Sequence, residues 1–152
     1  MPKVSLGSDE RTPVTDALLA ELRRRGYELS LHGAVAGTGE EWARVGELVA
    51  LDVVCGRAVT GIACCHTGTG VSIAANKVPG ARAALCADAA IALGARRWND
   101  ANVLCLALAR THPEDLPPIL DAWFNAGPVD EGERPNLERL AIMEKPQRVD
   151  AG

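Results

Sequence analysis

Five short apolar runs, separated by segments of helical spacing, constrain the fold of this chain more than any other feature. Lys3 to Gly7, Tyr27 to His32, Gly61 to Cys64, Ala81 to Cys86 and Val103 to Ala107 read as strands, the last a continuous apolar run of the kind buried on both faces of a sheet. Thr12-Pro13 offers an N-cap hydroxyl and a proline for the first helical position. The helix they open is expected to run to about Arg25, with Gly26 closing it and Val14, Leu18, Leu19 and Leu22 forming its apolar stripe. Further helices are expected over Glu40 to Cys55, from about Val71, over Asp88 to Trp98, Pro113 to Ala126 and Asn136 to Glu144, with loops over Gly33 to Gly39 and Gly127 to Pro135. Strands alternating with helices imply an α/β fold, a Rossmann-like three-layer αβα sandwich around a five-stranded parallel sheet. One domain is expected over residues 1–145, with a tail over 146–152. Ligands of such sheets bind beyond the carboxyl ends of the strands, where Asp9, Cys65 and the Asn99 region are expected to meet.

The chemistry concentrates in Cys64-Cys65-His66-Thr67-Gly68-Thr69-Gly70-Val71-Ser72. Here a strand breaks into a Thr/Gly turn and a helix begins, so a thiol at the strand's end faces unpaired helix N–H groups and the positive end of the helix dipole. Both favour a thiolate or an oxyanion. Neighbours on a strand point to opposite faces, so one thiol of the pair belongs to the core; Cys64 is that one, and Cys65, at the end, is expected to be exposed. A purely structural role for Cys65 competes with a catalytic one on the residues alone. Asp9, at the end of the first strand, either caps the helix after it or faces the same crevice, and Thr12 is better placed to cap.

Several classes of function are disfavoured. The formal net charge of −4 leaves no basic footprint, so neither nucleic acid nor an anionic membrane is an expected partner. No apolar stretch approaches the roughly 18 residues of a membrane span. Gly68-x-Gly70 lacks the third glycine of a dinucleotide fingerprint, Ile73 standing there, and no Walker lysine follows. His32, His66 and His112 have no metal-ligand spacing with the cysteines, and no cofactor or metal is expected. Five cysteines, mostly within or beside apolar runs and with no signal peptide ahead of them, point to a reducing cytoplasm. Adjacent Cys64-Cys65 makes a poor redox pair, since such a bridge is strained.

The central motif, Cys65-x-Thr67-Gly68-x-Gly70-x-Ser72-Ile73-Ala74-Ala75-Asn76-Lys77, continues through Val78-Pro79-Gly80-Ala81-Arg82-Ala83-Ala84. Together with Gly7-Ser8-Asp9 and Asn99-Asp100-Ala101-Asn102-Val103-Leu104, it resembles the ribose-5-phosphate isomerase B family, which includes the galactose-6-phosphate isomerase subunits. The resemblance runs through most of residues 3–140. It implies a cofactor-independent aldose–ketose isomerase acting on a phosphorylated sugar through an enediolate. Cys65 would be the base, Thr67 and the N–H groups from Gly68 to Gly70 the oxyanion donors, and Asp9 the group that moves protons between the substrate oxygens. Ser72 would bind the substrate with Gly68 and Gly70, Asn99 and Asn102 would be polar contacts or loop braces, His66 would line the mouth of the pocket, and Arg134 and Arg139 would bind phosphate, often across a subunit interface. A homodimer or a dimer of dimers is the implied assembly.

The departures are as informative. Glu10 stands where the family has a pocket histidine, Trp98 where ribose isomerases have the histidine that helps open the furanose ring, and Trp42-Ala43 where a tyrosine precedes a proline. An arginine after the fifth strand corresponds to Ala109 or, with one insertion, to Arg110. Indole cannot replace imidazole in acid–base work near neutral pH. The expectation is a substrate that is mostly open-chain, such as a tetrulose phosphate. The competing reading is a sugar-phosphate-binding or partner subunit of the same fold that has lost catalysis.

Overall fold

A computed structural model describes residues 1–146. Its elements are β1 (Lys3–Ser8), α1 (Pro13–Arg24), β2 (Glu28–Gly33), α2 (Trp42–Val54), β3 (Thr60–Cys65), α3 (Thr69–Asn76), β4 (Ala83–Leu85), α4 (Ala89–Asn99), β5 (Val103–Ala107), α5 (Leu116–Phe124) and α6 (Arg134–Met143). The five strands form one parallel sheet in the order β2-β1-β3-β5-β4. Helices cover both faces, giving the three-layer α/β sandwich read from the sequence. Residues 147–152 of the expected tail lie outside the described residues.

Alternation along the strands sorts the core into two halves. Val4, Leu6, Ile62, Cys64, Leu104 and Leu106 pack against α1, α4 and α5, and the α1 stripe of Val14, Leu18, Leu19 and Leu22 is buried there as expected. Ala63, Cys65, Val103 and Cys105 face the other way, onto Val45, Val49 and Ala50 of α2 and Val71 and Ala75 of α3. Small residues let α2 sit close on this second face; a Cβ at Gly61 would come 2.5 Å from Val49 Cγ1.

Where boundaries differ from the sequence reading, local chemistry explains it. Thr12 caps α1 in a reciprocal box with Thr15, leaving Asp9 free of that role. The helix expected from Pro113 is a 3-10 turn, Pro113–Asp115, followed by α5. Pro117 and Pro118 lack N–H groups and so are tolerated only in a first helical turn, which fixes the start at Leu116. The loop before α6 holds a second 3-10 turn, Glu131–Glu133, and α6 starts at Arg134, next to Pro135, rather than at Asn136.

One buried charge ties α2 to the sheet edge. Asp52 is 6% exposed; its Oδ2 accepts from Ser5 (2.8 Å) and Ser30 (2.9 Å) and lies 2.7 Å from His32 Nε2, while its Oδ1 accepts from Arg57 Nε (2.9 Å). Burial by itself would raise the Asp52 pKa, but the hydrogen bonds from His32, Arg57, Ser5 and Ser30 outweigh it and hold the carboxyl well below the usual carboxylate range. Because the folded pKa is depressed, this stabilisation is present above the unfolded value of about 4 and is lost as pH falls below it. Asp52→Ala is therefore expected to cost about 3 kcal/mol at neutral pH. In chemical denaturation the variant should also lose less stability than the wild type between about pH 4 and pH 2; equal acid sensitivity would exclude Asp52 as the titrating group.

Candidate active site

The strand order makes one crevice. From β1 the chain steps outward to β2, then crosses back to β3, so the connections leave β1 and β3 in opposite directions, the arrangement that opens a ligand site beyond their carboxyl ends. Ser8 of β1 pairs with Cys64 of β3, which brings Asp9 level with Cys65 on the next rung. The turn after β3 and the start of α3 lie at the same edge, and so does Trp42, the first residue of α2.

The turn is shaped by Gly68, whose φ is +73°. A Cβ at Gly68 would lie 2.5 Å from Leu85 Cδ1 and 2.9 Å from the backbone nitrogen of Ala107, so only glycine lets the turn pass this close to β5. Gly68 is also the N-cap of α3 and contributes no side-chain bond, which leaves the first N–H groups of the helix uncapped by a side chain. Thr67 and Thr69 share a hydroxyl hydrogen bond of 2.8 Å beside them, and His66 and Thr67 are exposed. Gly70 carries no side chain because the Trp42 indole lies on it; a Cβ there would be 2.7 Å from Trp42 Cε3. Ser72 points inward and its hydroxyl engages the thiol of Cys105, a bond that only partly opposes the strong upward push of burial on that thiol.

Cys65 corrects one expectation. The two adjacent thiols do face opposite sides of the sheet, yet Cys65 is buried at 5% exposure, against 0% for Cys64. Its side chain is covered on the second face of the sheet by α2 and α3, in the cluster that holds Val45, Val49, Val71 and Ala75. β5 also continues alongside the end of β3: Leu108 N–H donates to the Cys65 carbonyl and Ala109 N–H to that of His66, both at 2.9 Å. The strand end is thus flanked rather than free. The exposed Arg110 follows directly in this same turn.

Asp9 is half-buried, and its Oδ1 is shielded from solvent without a hydrogen-bond partner. Burial, then the Glu10 charge, raise its pKa; its own backbone N–H and His66 oppose this, and Glu41 adds to it. A carboxyl poised upward with an unengaged oxygen is suited to taking and returning a proton. Beside it opens a cavity of about 450 Å³ lined by Asp9, Glu10, Thr38, Gly39, Glu40, Glu41 and Trp42. The acidic pair Glu40-Glu41 escaped the sequence reading. Its signal was positional: the loop after β2 must end at the same edge of the sheet as Asp9.

The remaining candidates lie elsewhere. Each helix of a parallel α/β unit returns the chain to the amino ends of the strands, so Trp98 and Asn99, closing α4, stand at the edge opposite Cys65. The expectation that the Asn99 region meets Asp9 and Cys65 within one chain is therefore overturned. Asn99 is exposed and lines a groove with Asn76, Lys77 and Arg82. Asn102 is a brace: it accepts from the Arg82 N–H (2.7 Å) and donates to the Gly80 carbonyl (3.0 Å). Arg134 pairs with Glu131 at 2.6 Å and lines a depression with Asp100 and Asp130 at this second edge, and Arg139 is exposed further along α6. Among the described residues no group of three or more His, Cys, Asp or Glu is arranged to hold a metal ion, and no helix is long and apolar enough to cross a membrane.

Comparison with known proteins shows the family to which this fold belongs. The family described as Ribose/Galactose Isomerase matches residues 4–140. Ribose-5-phosphate isomerase B of Escherichia coli (strain K12) is 32% identical over 146 residues, covering 95% of this chain and 98% of that protein. The D-erythrulose-4-phosphate isomerase of Pectobacterium atrosepticum is 38% identical over 93 residues, 61% of each chain. Among solved structures, Clostridium thermocellum ribose-5-phosphate isomerase B superposes with a TM-score of 0.86 at 33% identity, over 93% of this chain and 97% of that one. The chain belongs to the ribose/galactose isomerase family of sugar-phosphate isomerases.

Gly68→Ala tests the turn. The positive φ and the approach to Ala107 predict a loss of more than about 1 kcal/mol, seen as a Tm lowered by at least a few degrees. An unchanged Tm would show that the turn tolerates a side chain.

Proposed function

We propose that this protein interconverts an aldose and a ketose phosphate through an enediolate, with Cys65 as the base. The observation that carries the reading is that Cys65 and Asp9 stand level with each other at the ends of adjacent strands, beside a helix start whose N–H groups no side chain caps. The Cys65 thiolate takes the proton from the carbon next to the substrate carbonyl, and the electron pair moves onto the carbonyl oxygen. Thr67 and the N–H groups from Gly68 to Gly70 stabilise that oxyanion. Asp9 carries the hydroxyl proton from one oxygen to the other, and the Cys65 thiol returns its proton to the neighbouring carbon. The helix dipole at α3 favours both anions in turn.

The site is completed by a second copy of the chain in a homodimer or dimer of dimers. Trp98, Asn99, Arg134 and Arg139, stranded at the far edge of their own sheet, then serve the crevice of the neighbour, the arginines on the phosphate. The substrate is a phosphorylated sugar that is mostly open-chain, such as a tetrulose phosphate; Glu10 and Trp98 in place of histidines support this, as does the likeness to an erythrulose-4-phosphate isomerase. Five free thiols fit work in the reducing cytoplasm.

The burial of Cys65 favours a second reading, a sugar-phosphate-binding or partner subunit without turnover. Assays across tetrose, pentose and hexose phosphates separate the two, with the tetrulose phosphate expected to be turned over faster than ribose 5-phosphate. Thermal stabilisation by a sugar phosphate without turnover would select the binding reading. Cys65→Ala is expected to lower kcat by about a thousandfold or more with the fold retained; survival of activity would remove Cys65 as the base. Mixing inactive Cys65→Ala with a Trp98→Ala variant under subunit exchange should recover activity if each site draws on two chains.

A further inference from the structure

We infer that Trp98 is a fixed aromatic platform for the substrate's carbon chain and that Asp130 is the positioning residue that holds it. This rests on the reading that the site binds a phosphorylated sugar and is completed by a neighbouring copy.

The geometry around Trp98 leaves little freedom. Its benzenoid ring lies on Gly94, one turn earlier in α4, where a Cβ would come 2.8 Å from Cζ3 and 2.9 Å from Cε3. The indole N–H donates to Asp130 Oδ2 at 3.0 Å. Asp130 Oδ1 accepts from Arg97 at 2.7 Å, and the Asp130 N–H donates to the Arg97 carbonyl at 2.8 Å. Three bonds thus sew the loop after α5 onto the last turn of α4, and the ring is held by its contact with Gly94 and by one hydrogen bond. Despite this restraint Trp98 is 55% exposed. A large apolar side chain held rigidly in solvent forgoes the benefit of burial unless something covers it.

The chemistry left to such a ring is narrow. Its sole donor is occupied and it has no titratable nitrogen, so it can neither donate to nor protonate a sugar ring oxygen near neutral pH. It offers the electron-rich face of an indole, which attracts the weakly positive C–H groups of a carbon chain. A site walled in this way suits a sugar phosphate with no ring to open. A tetrose or tetrulose phosphorylated on its fourth oxygen is such a substrate: in the tetrose the hydroxyl that would close a five-membered ring is esterified, and in the tetrulose no hydroxyl lies far enough from the C2 carbonyl to close one.

The test uses the full chain and its Asp130→Ala, Asp130→Asn, Trp98→Ala and Trp98→His variants, with affinity for D-erythrulose 4-phosphate and ribose 5-phosphate read by calorimetry and turnover measured separately. Asp130→Ala and Trp98→Ala are expected to weaken erythrulose 4-phosphate binding by about tenfold with a much smaller effect on ribose 5-phosphate. Asp130→Asn keeps an oxygen for the indole N–H and should recover most of that loss. Where the wild type turns over both sugars, Trp98→His should move the kcat/KM ratio toward ribose 5-phosphate by about tenfold or more. Equal affinities in Asp130→Ala and the wild type would overturn the inference, as would equal losses for both sugars or a loss tracking a fall in Tm. Binding without turnover by the wild type would overturn the isomerase reading alone. Failure of the wild type to bind either sugar would overturn both.

Discussion

Parallel pairing of β1 with β3 is the constraint on which the rest of the molecule depends. Their register sets Asp9 beside Cys65, and because the chain leaves the two strands in opposite directions no helix closes over that junction. The second face of the sheet can then be small: Gly7 and Gly61 admit the valines of α2, and α2 in turn delivers Trp42 to the crevice. Hydrophobic burial on the two faces supplies the driving force, while the strand register decides which polar groups meet.

Electrostatics divide the crevice unevenly. Asp9, Glu10, Glu40 and Glu41 line one side, whereas the start of α3, His66 and Arg110 belong to the turns after β3 and β5. The carboxylates of the first set repel a dianionic phosphate, whereas sugar hydroxyls hydrogen-bond readily to them. Burial of the Asp9 carboxyl raises its pKa, and this crowding of negative charge adds to the rise.

Much of this was legible in the chain. The Thr12-Pro13 start of α1, its stripe of leucines and the continuous run Val103 to Ala107 carry local signals that tertiary structure did not override. The motif around Cys65 and Gly68 announced a strand, a turn requiring glycine and a helix start. Other features depend on distances no local pattern encodes. Alternation told which way Cys65 faces, but how closely α2 and α3 pack over that face decides how deeply it is buried. The Asn99 segment was placed at the wrong edge because its resemblance to a site motif outweighed a simple topological fact, that α4 must carry the chain back across the sheet. Asp130 was invisible for a similar reason: its partners, Arg97 and Trp98, are more than thirty residues away in sequence.

The contact between Gly94 and Trp98 links two positions that would otherwise vary independently. While the indole at position 98 keeps this pose, a Cβ at 94 would come 2.8 Å from its Cζ3, so the ring that Asp130 holds would have to shift. Position 94 is thereby committed to glycine for as long as the indole keeps this pose. A smaller ring at 98 removes that restriction.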